Sequence, residues 1–433
     1  MSLGSNALST LRAFWHSAEL RQKLLFTLAL VALFRLIAHV PLFGVDTEQL
    51  RALLAGNQFL GVLNIFSGGT LTNFSIGAIG IGPYITASIL LQISGLFIPK
   101  LKEMQKESEG TKAQIQQWTR MLSVPIGVVQ SLSLLFLLRS QGLLTATQPL
   151  ELMTMILSLV AGAIAVMWIG ELLTKHGIGN GTSMVIFVGI ISQIPTALAQ
   201  SWALRDTVGA TTLIALAGAL LLLMASVVFM NQSVRRLPIQ QAKRQRGSNQ
   251  YGGSFSHLPL KVTQFGVMPI IFALPILTLP TTLATLVLNT QAELPSWLIE
   301  VARTAQMWFT PGSSVYTWVY FVFVFAFTFF SIFVYFNPKE FAEDLKKSGA
   351  YLPGVRPGKP TAQILMRTLL RIAFVGGLYL AVVAVLPLLA QSYTGVGTLT
   401  IGGTGLLIVV SVVLENMQQI QAQLVHDQYD KYI

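Results

Sequence analysis

Long stretches without a single charged residue constrain this chain more than any other feature. A membrane-spanning helix needs about 20 mostly apolar residues, because each residue rises about 1.5 Å across a hydrocarbon core of about 30 Å. Charged residues make up 10% of the chain, against roughly 25% in an average soluble domain. A soluble enzyme therefore fits poorly, and a membrane protein with many spans is predicted. The uncharged stretches are 52–99, 121–138, 152–170, 177–204, 207–234, 262–292, 304–338 and 372–414.

These stretches predict ten spans. The stretch 372–414 is long enough for two spans, and the polar residues 391–395 supply a turn between them. Another apolar run, 24–40, precedes the first stretch and contains one charge, Arg35. The predicted fold class is therefore an all-α polytopic membrane protein with ten transmembrane helices. The expected spans are 23–41, 76–98, 118–138, 152–172, 182–200, 208–232, 262–288, 312–336, 368–390 and 400–419.

The stretch 52–99 is too long for one span and too short for two spans with a turn. Its second part, 76–98, is typical of a helix, whereas its first part, 56–75, is rich in Gly, Asn, Ser and Thr. Backbone at membrane depth must be buried in protein or line a water-filled cavity, because lipid cannot satisfy its amides. Two interpretations stay open for 61–75: a re-entrant segment inside the molecule, or an ordinary external loop.

Basic residues are segregated to one side of the predicted topology. The side that holds both termini and the loops after spans two, four, six and eight carries 23 of the 28 Lys and Arg, with 11 acids. The other side carries five basic and six acidic residues. The positive-inside rule places the basic side, and with it both termini, in the cytoplasm. The first 20 residues are polar to mixed, so no cleavable signal peptide is expected.

Two cytoplasmic loops are longer than a simple connection requires. The loop 235–261 carries six basic residues and no acid, and the loop 337–371 carries seven basic and three acidic residues. Basic loops can bind anionic lipid, RNA or a soluble protein partner. The Pro- and Gly-rich turn 352–358 favours a docking site that holds one arginine in one pose, although a purely structural turn stays open. The candidate docking residues are Arg235, Arg236, Lys243, Arg244, Arg246 and Arg356.

Two short motifs recur in the first and second halves of the chain. Residues 80–85 and 266–271 both read Gly-x-x-Pro-x-Ile, in spans two and seven. Residues 181–186 and 403–408 both read Gly-Thr-x-x-x-Ile, in spans five and ten. Two halves of five spans must insert with opposite topology, because five is odd. Such inverted repeats are typical of transport folds whose functional site lies at the midplane between the halves.

The repeat predicts a division of the chain and a set of equivalent positions. We expect an N-terminal half, 1–200, and a C-terminal half, 201–433. The equivalent isoleucines are expected near a pseudo-twofold axis, although side chains that simply face lipid are the alternative. They are Ile85, Ile186, Ile271 and Ile408.

The spans hold almost no residue that could perform chemistry. Catalysis or ion coupling in a membrane usually needs ionisable residues at mid-span, and here Arg35, Glu171 and Glu415 lie near span ends. The chain has no cysteine, and its five histidines show no metal-ligand spacing. We therefore expect no enzyme activity, cofactor or metal, and a driving force that comes from a partner or from the membrane potential. A secondary transporter of a small solute is the alternative function, and an insertase-like scaffold without a sealed pore is a third.

Several longer motifs occur in order along nearly the whole chain. On these motifs the chain resembles the SecY family, the channel subunits of the bacterial protein translocon. They are Phe66-Ser-Gly-Gly69, Pro83-Tyr-Ile-Thr-Ala-Ser-Ile89, Gly177-Ile-Gly-Asn-Gly181, Leu258-Pro-Leu-Lys-Val262, Phe336-Asn-Pro338, Leu345-Lys-Lys-Ser-Gly349, Pro353-Gly-Val-Arg-Pro-Gly358 and Gly402-Gly403.

The resemblance implies a ten-helix clamshell whose two inverted five-helix halves surround a central hourglass pore. A narrow collar of branched aliphatic side chains tends to dewet and so bars ions. By resemblance, a plug occupies about 61–74 and includes Phe66, Ser67, Gly68 and Gly69. The family's constriction ring falls on Ile85, Ile89, Ile186, Ile190, Ile271 and Ile408.

The resemblance also implies a lateral gate between spans two and three on one side and spans seven and eight on the other. Signal sequences and the membrane helices of nascent polypeptides leave through it. Its polar positions fall on Thr86, Gln92, Thr263 and Gln264. The family usually has Asn where this chain has Thr263, so either Thr263 or Gln264 is expected to replace it.

Partners and location are likewise implied by the resemblance. The motor ATPase SecA and the ribosome are expected at the two basic loops, with Arg356 as the key side chain. Small membrane subunits, SecE and SecG, are expected beside the channel. The expected location is the bacterial cytoplasmic (inner) membrane.

Overall fold

The computed structural model describes residues 18–56, 60, 64, 67–98, 100–101, 104, 109–144, 148–203, 209–241, 244–246, 249–251, 255–263, 266, 268–289, 295–310, 313–394 and 398–430. Within these residues the long helices dominate, and ten of them match the ten predicted spans; the other three helices, α2, α9 and α11, are shorter. The helices are α1 (Ala18–Ile37), α2 (Thr47–Gly56), α3 (Gly82–Phe97), α4 (Glu109–Ser140), α5 (Pro149–His176), α6 (Gly181–Ala203), α7 (Ala210–Gln232), α8 (Met268–Asn289), α9 (Ser296–Phe309), α10 (Ser314–Tyr335), α11 (Pro338–Lys347), α12 (Lys359–Thr394) and α13 (Thr398–Asp430).

Eight of the ten long helices are long and apolar enough to cross a membrane by length and composition alone. The other two, α1 and α3, complete the set of ten. α1 carries charges at both ends, with Glu19 in its first turn and Arg35 in its last. α3 has 16 residues, which is a length of about 24 Å at 1.5 Å per residue.

Two spans begin six residues later than predicted, and one local feature explains both. α3 begins at residue 82 instead of 76, and α8 begins at residue 268 instead of 262. In each case a glycine two residues earlier has a positive φ, 61° at Gly80 and 53° at Gly266. Pro83 and Pro269 then occupy the second helical position, where a missing backbone N–H costs nothing. The repeated Gly-x-x-Pro motif is therefore a helix start that occurs once in each half.

Helices from both parts of the chain pack against each other. α6 contacts α13, and α8 contacts both α3 and α4. The largest buried apolar cluster draws residues from α1, α3, α5, α6, α7, α8, α10, α12 and α13. The core therefore lies where the first and second halves of the chain meet.

The basic loop 235–261 contains strands that the sequence analysis did not predict. β1 (Val234–Gln241) pairs antiparallel with β4 (Phe255–Lys261), and the short strands β2 (Arg244–Arg246) and β3 (Asn249–Tyr251) pair with each other between them. β5 (Ala350–Tyr351), which comes from the second basic loop, pairs with the end of β1. The two basic loops are therefore joined by a shared sheet with the strand order β4-β1-β5.

Candidate pore, plug and docking surface

Six isoleucines that the sequence assigns to a constriction ring lie in one buried cluster. α3 and α6 each supply two of them, four residues apart and therefore on one face of the helix. None is more than 5% exposed, so none of the six faces lipid. Their role as a pore constriction stays a prediction. They are Ile85 and Ile89 of α3, Ile186 and Ile190 of α6, Ile271 of α8 and Ile408 of α13.

The cluster is tight where α6 meets α13. A Cβ atom added at Gly405 would lie 2.8 Å from Cγ2 of Ile190. Such a separation is shorter than a normal carbon–carbon contact of about 3.5–4.0 Å. The isoleucine therefore packs directly on the backbone of α13, without a side chain between them.

Residues 67–75, which together with Asn64 include the described part of the predicted plug, lie between α1 and α6 and are mostly buried. Gly68 has φ 71°, and a Cβ atom added there would lie 2.6 Å from Cζ of Phe34 in α1. A Cβ atom added at Gly189 in α6 would lie 2.1 Å from the Cα atom of Gly68. The two backbones therefore touch, and only glycine fits at either position. Gly69 also has a positive φ, 80°.

Burial favours the re-entrant interpretation of this segment over the external loop. Ser67, Thr70, Phe74 and Ser75 are all 0% exposed. A loop in water would leave such side chains solvated. Phe66, the remaining predicted plug residue, lies outside the described residues.

Side-chain hydrogen bonds tie this region to α6. The Asn64 amide donates to Oε1 of Gln193 at 3.0 Å and to Oγ1 of Thr72 at 3.0 Å. Ser192, the residue before Gln193 in α6, accepts a hydrogen bond at its Oγ atom from Nη1 of Arg35 in α1 at 3.0 Å. α1, α6 and the 67–75 segment are therefore linked by polar contacts as well as by backbone packing.

The described gate residues Thr86, Gln92 and Thr263 make no side-chain hydrogen bond to one another. The Thr86 hydroxyl donates to the carbonyl of Gly82 in its own helix at 2.9 Å, and the Gln92 amide donates to Ser88 at 3.0 Å. The Gln92 Oε1 atom is buried and has no hydrogen-bond partner. Gln264 lies outside the described residues.

Thr263 belongs to a cluster of three hydrogen-bonded polar side chains that the sequence analysis missed. Its hydroxyl donates to Oδ1 of Asn231 in α7 at 2.7 Å. The Asn231 amide in turn donates to Oγ of Ser411 in α13 at 3.1 Å. Thr263 therefore connects the segment before α8 to α7 and α13. Asn231 is the last asparagine before the basic loop, but no spacing in the sequence pairs it with residue 263.

A narrow cavity rich in hydroxyl groups lies between α3, α4 and α8, and the sequence analysis missed this as well. Its polar side chains lie where α3 and α4 meet α8. The resemblance assigns α3 and α4 to one side of the lateral gate, and α8 to the other. The threonines of α8 recur at helical spacing, which is the signal that could have identified this face. The polar lining residues are Thr86, Gln130, Ser133, Thr278, Thr282 and Thr285.

The described docking candidates lie on β1 of the shared sheet, on β2 of the separate two-stranded sheet, and in the turn after β5. Arg235 and Arg236 are exposed on β1, and Arg244 and Arg246 belong to the short strand β2. Arg356 is exposed in a turn in which Gly354 and Gly358 have positive φ. The turn predicted from the sequence is therefore present, whereas its rigidity and its docking role stay predictions. Lys243 lies outside the described residues.

The long apolar helices, the buried uncharged centre and the exposed basic loops define a polytopic membrane channel. Within the described part of the chain, no three His, Asp or Glu side chains are grouped to hold a metal ion. A protein-family model described as SecY matches residues 75–417. The chain belongs to the SecY family and is a protein-conducting channel.

Two relatives illustrate the extent of the similarity. Protein translocase subunit SecY of Corynebacterium glutamicum is 39% identical over 432 residues, which cover 95% of this chain and 97% of the relative. The protein of the same name from Halalkalibacterium halodurans is 39% identical over 435 residues, covering 98% of this chain and 99% of the relative. The solute transporter considered as an alternative finds no support in these relatives.

Solved structures of low identity share the fold. A structure described as that of a protein conducting channel has a TM-score of 0.69 at 17% identity, covering 94% of this chain and 93% of that chain. Sec61 from the canine ribosome-channel complex has a TM-score of 0.63 at 16% identity, covering 93% of this chain and 92% of that chain. Together with the helices described above, these likenesses confirm the predicted ten-helix channel fold.

Proposed function

We propose that this chain conducts unfolded polypeptides across the bacterial cytoplasmic membrane and releases transmembrane segments sideways into the lipid. One observation carries the proposal: six buried isoleucines, supplied by two helices of each predicted half, meet in a single cluster. Isoleucine offers no charge or hydrogen bond, so a passing chain of any sequence meets little specific attraction. An empty collar of such side chains excludes water and ions.

In this proposal the segment of about 61–74, which includes Phe66, forms the plug. The contact of its Gly68 with Gly189 and the hydrogen bond from Asn64 to Gln193 support a closed position beside α6. The lateral gate is the contact of α3 and α4 with α8 and α10. The hydroxyl-rich cavity at this contact supports an interface that opens more readily than a fully apolar one.

The proposed partners act mainly from the side of the membrane that holds the shared sheet. The excess of basic residues indicates that this side, with both termini, faces the cytoplasm. SecA or the ribosome docks there and supplies the energy, and Arg356 makes the central contact. Fold neighbours described as ribosome-bound support the ribosome as a partner. SecE and SecG accompany the chain in the membrane, and anionic lipid contacts the basic loops. The chain itself catalyses no reaction in this proposal.

Crosslinking tests the path of the polypeptide. A photoreactive residue at position 85 or 271 should crosslink to a secretory protein stalled during export. The matched control is position 222 in α7, where Leu222 is 72% exposed on the outer surface. Equal crosslinking at all three positions, or crosslinking at 222 alone, contradicts a path through the isoleucine cluster.

Charge reversal tests the docking site. Arg356→Glu should reduce SecA-driven secretion by about tenfold or more, because a central cation becomes an anion. Lys359→Glu, an exposed basic residue three positions further along, is the matched control and should have a much smaller effect. Circular dichroism and gel filtration establish that both variants fold. Normal secretion by Arg356→Glu would exclude the proposed docking role.

A further inference from the structure

An open groove of about 700 Å³ lies on the outer surface between α10 and α12. Phe329 of α10 and Phe374 of α12 form part of its wall, with Met366 beside them. Arg367 and Arg371 of α12 also line the groove. The groove therefore combines an apolar surface with two positive charges.

The two arginines have no counter-charge in the described part of the protein. They are exposed and lie four residues apart, so their side chains project from the same face of α12. Among the described residues, no ion pair or side-chain hydrogen bond involves either of them. Like charges at this spacing repel each other, and an anion bound between them removes that repulsion. Guanidinium groups bind phosphate with paired, parallel hydrogen bonds.

The position of the arginines along α12 matches the depth of lipid headgroups. Beyond Arg371, a row of exposed apolar side chains runs from Phe374 through Leu378, Val382 and Leu386 to Leu389, whereas only Ile364 is exposed among the large apolar residues of α12 before the arginines. This row is about 22 Å long at 1.5 Å per residue, which is most of a hydrocarbon core of about 30 Å. Arg371 lies one turn beyond the row, and Arg367 lies one turn further.

The wall of the groove suits an acyl chain. The Phe325 ring packs edge-on against Phe329, with centroids 5.1 Å apart, and against Phe374, with centroids 5.7 Å apart. The three rings form a continuous apolar surface that leads from the arginines toward the centre of the membrane. A molecule with a phosphate at one end and hydrocarbon at the other therefore matches both parts of the groove.

We infer that this groove binds an anionic phospholipid, with its phosphate between Arg367 and Arg371 and an acyl chain on the phenylalanines. Basic pockets between transmembrane helices bind anionic headgroups in this way. The inference gives the proposed lipid contact a defined site, and it rests on the proposed orientation only for the choice of leaflet. It does not depend on polypeptide conduction.

Native mass spectrometry of the full chain in detergent tests the inference. The protein is titrated with phosphatidylglycerol, with phosphatidylcholine, or with free glycerol 3-phosphate. Phosphatidylglycerol should bind most tightly, and Arg367→Gln/Arg371→Gln should weaken it by about tenfold. Arg139→Gln/Arg303→Gln removes the same charge from exposed positions outside the groove and outside both basic loops, and should bind like the parent.

Each other outcome overturns the inference. Equal affinity for phosphatidylglycerol and phosphatidylcholine would show that charge is not recognised. Equal weakening in the two double variants would show a general charge effect. Full competition by glycerol 3-phosphate would show a phosphate site that needs no acyl chain. If the glutamine variant fails to fold, Arg367→Lys/Arg371→Lys replaces it. This variant should bind phosphatidylglycerol with intermediate affinity, since lysine cannot form the paired hydrogen bonds. An affinity equal to the parent's would also overturn the inference.

Discussion

Gly68 and Gly189 bring two segments of backbone together with no side chain between them. Each position excludes even a methyl group, because the nearest atoms lie 2.1–2.6 Å from an added Cβ. Overpacking of a filled interior typically costs about 1–3 kcal/mol. A single added carbon at this contact must therefore displace the 67–75 segment, α6, or both.

Gly189→Ala tests whether this contact closes the channel. We expect a loss of about 1–3 kcal/mol in stability and a raised resting ion conductance, because the 67–75 segment no longer seats on α6. Planar-bilayer recording of the empty channel measures the conductance. Gly218→Ala in α7 is the control, since a Cβ added there meets nothing within 4 Å. Unchanged conductance in the first variant argues against the proposed plug.

A second residue-scale prediction concerns the isoleucine cluster. Ile186→Asn should raise the resting conductance several-fold, because an amide at a position that is 1% exposed gives water a hydrogen-bond partner. Ile186→Val keeps the collar apolar and should leave the conductance close to that of the parent. The same bilayer recording compares the two variants. Equal conductance in both would count against the ring.

The residue scale also shows how far the sequence could lead. The six isoleucines were predictable, because a repeated motif marked four of them and the family resemblance added two. The partner of Thr263 was not predictable, because Asn231 and Ser411 approach it only after α7 and α13 have packed. Thr263 and Asn231 are 32 positions apart in the sequence, and Asn231 and Ser411 are 180 positions apart. Hydrogen bonds over such distances leave no trace in local spacing.

At the scale of helices, α4 and α5 are joined by an ion pair near one end. Arg120 binds Glu171 through two nitrogens, with N–O distances of 2.9 Å from Nε and 2.7 Å from Nη2. Gln116 adds a third hydrogen bond at 3.2 Å. The Glu171 side chain is only 12% exposed, so its carboxylate depends on these partners for its hydrogen bonds.

Arg120→Gln should therefore destabilise the protein. We expect a loss of about 1–3 kcal/mol, because a largely buried carboxylate loses its charged partner. Thermal unfolding in detergent measures the change. Lys347→Gln is the control: it removes an exposed pair with Asp344 at 3.8 Å, and such pairs contribute at most about 1 kcal/mol. Equal effects in the two variants would show that the α4–α5 pair has no special role.

Helices and strands differed in how well the sequence revealed them. The spans were predictable because hydrocarbon demands long uncharged helices, and this demand appears directly in composition. The antiparallel pair of β1 and β4 was not predictable, because each strand has only one buried residue. These residues are Ile239 in β1 and Leu260 in β4. Without a regular alternation of apolar and polar residues, a strand has little sequence signal. The pairing of β1 with β5 also joins residues more than 100 positions apart.

At the scale of the whole molecule, the two proposed halves are held together by helix packing. α13 packs on α6, and α8 packs on α3 and α4, so contacts across the division are extensive. The halves therefore depend on each other for burial of their apolar faces.

Two separate pieces should consequently assemble. A chain broken between α6 and α7 should yield two pieces that co-purify through a tag on one of them. A break inside α12 is the control and should abolish recovery, because it exposes unpaired backbone groups in the membrane. If the break between α6 and α7 instead gave a tagged piece that purified without the other, the proposed assembly of two halves would be contradicted; the division predicted at residues 200 and 201 falls within the last turn of α6.

The length of α12 has a mechanical consequence. The helix has 36 residues and is about 54 Å long, and the Thr361 hydroxyl ties its first turn to the Arg356 carbonyl at 2.9 Å. A displacement imposed at Arg356 would therefore act on one end of a helix long enough to cross the bilayer, in which Pro387 interrupts the backbone hydrogen bonding only near the other end. Since α12 packs along α10, a partner that docks at Arg356, as proposed, would act on a helix next to the proposed lateral gate.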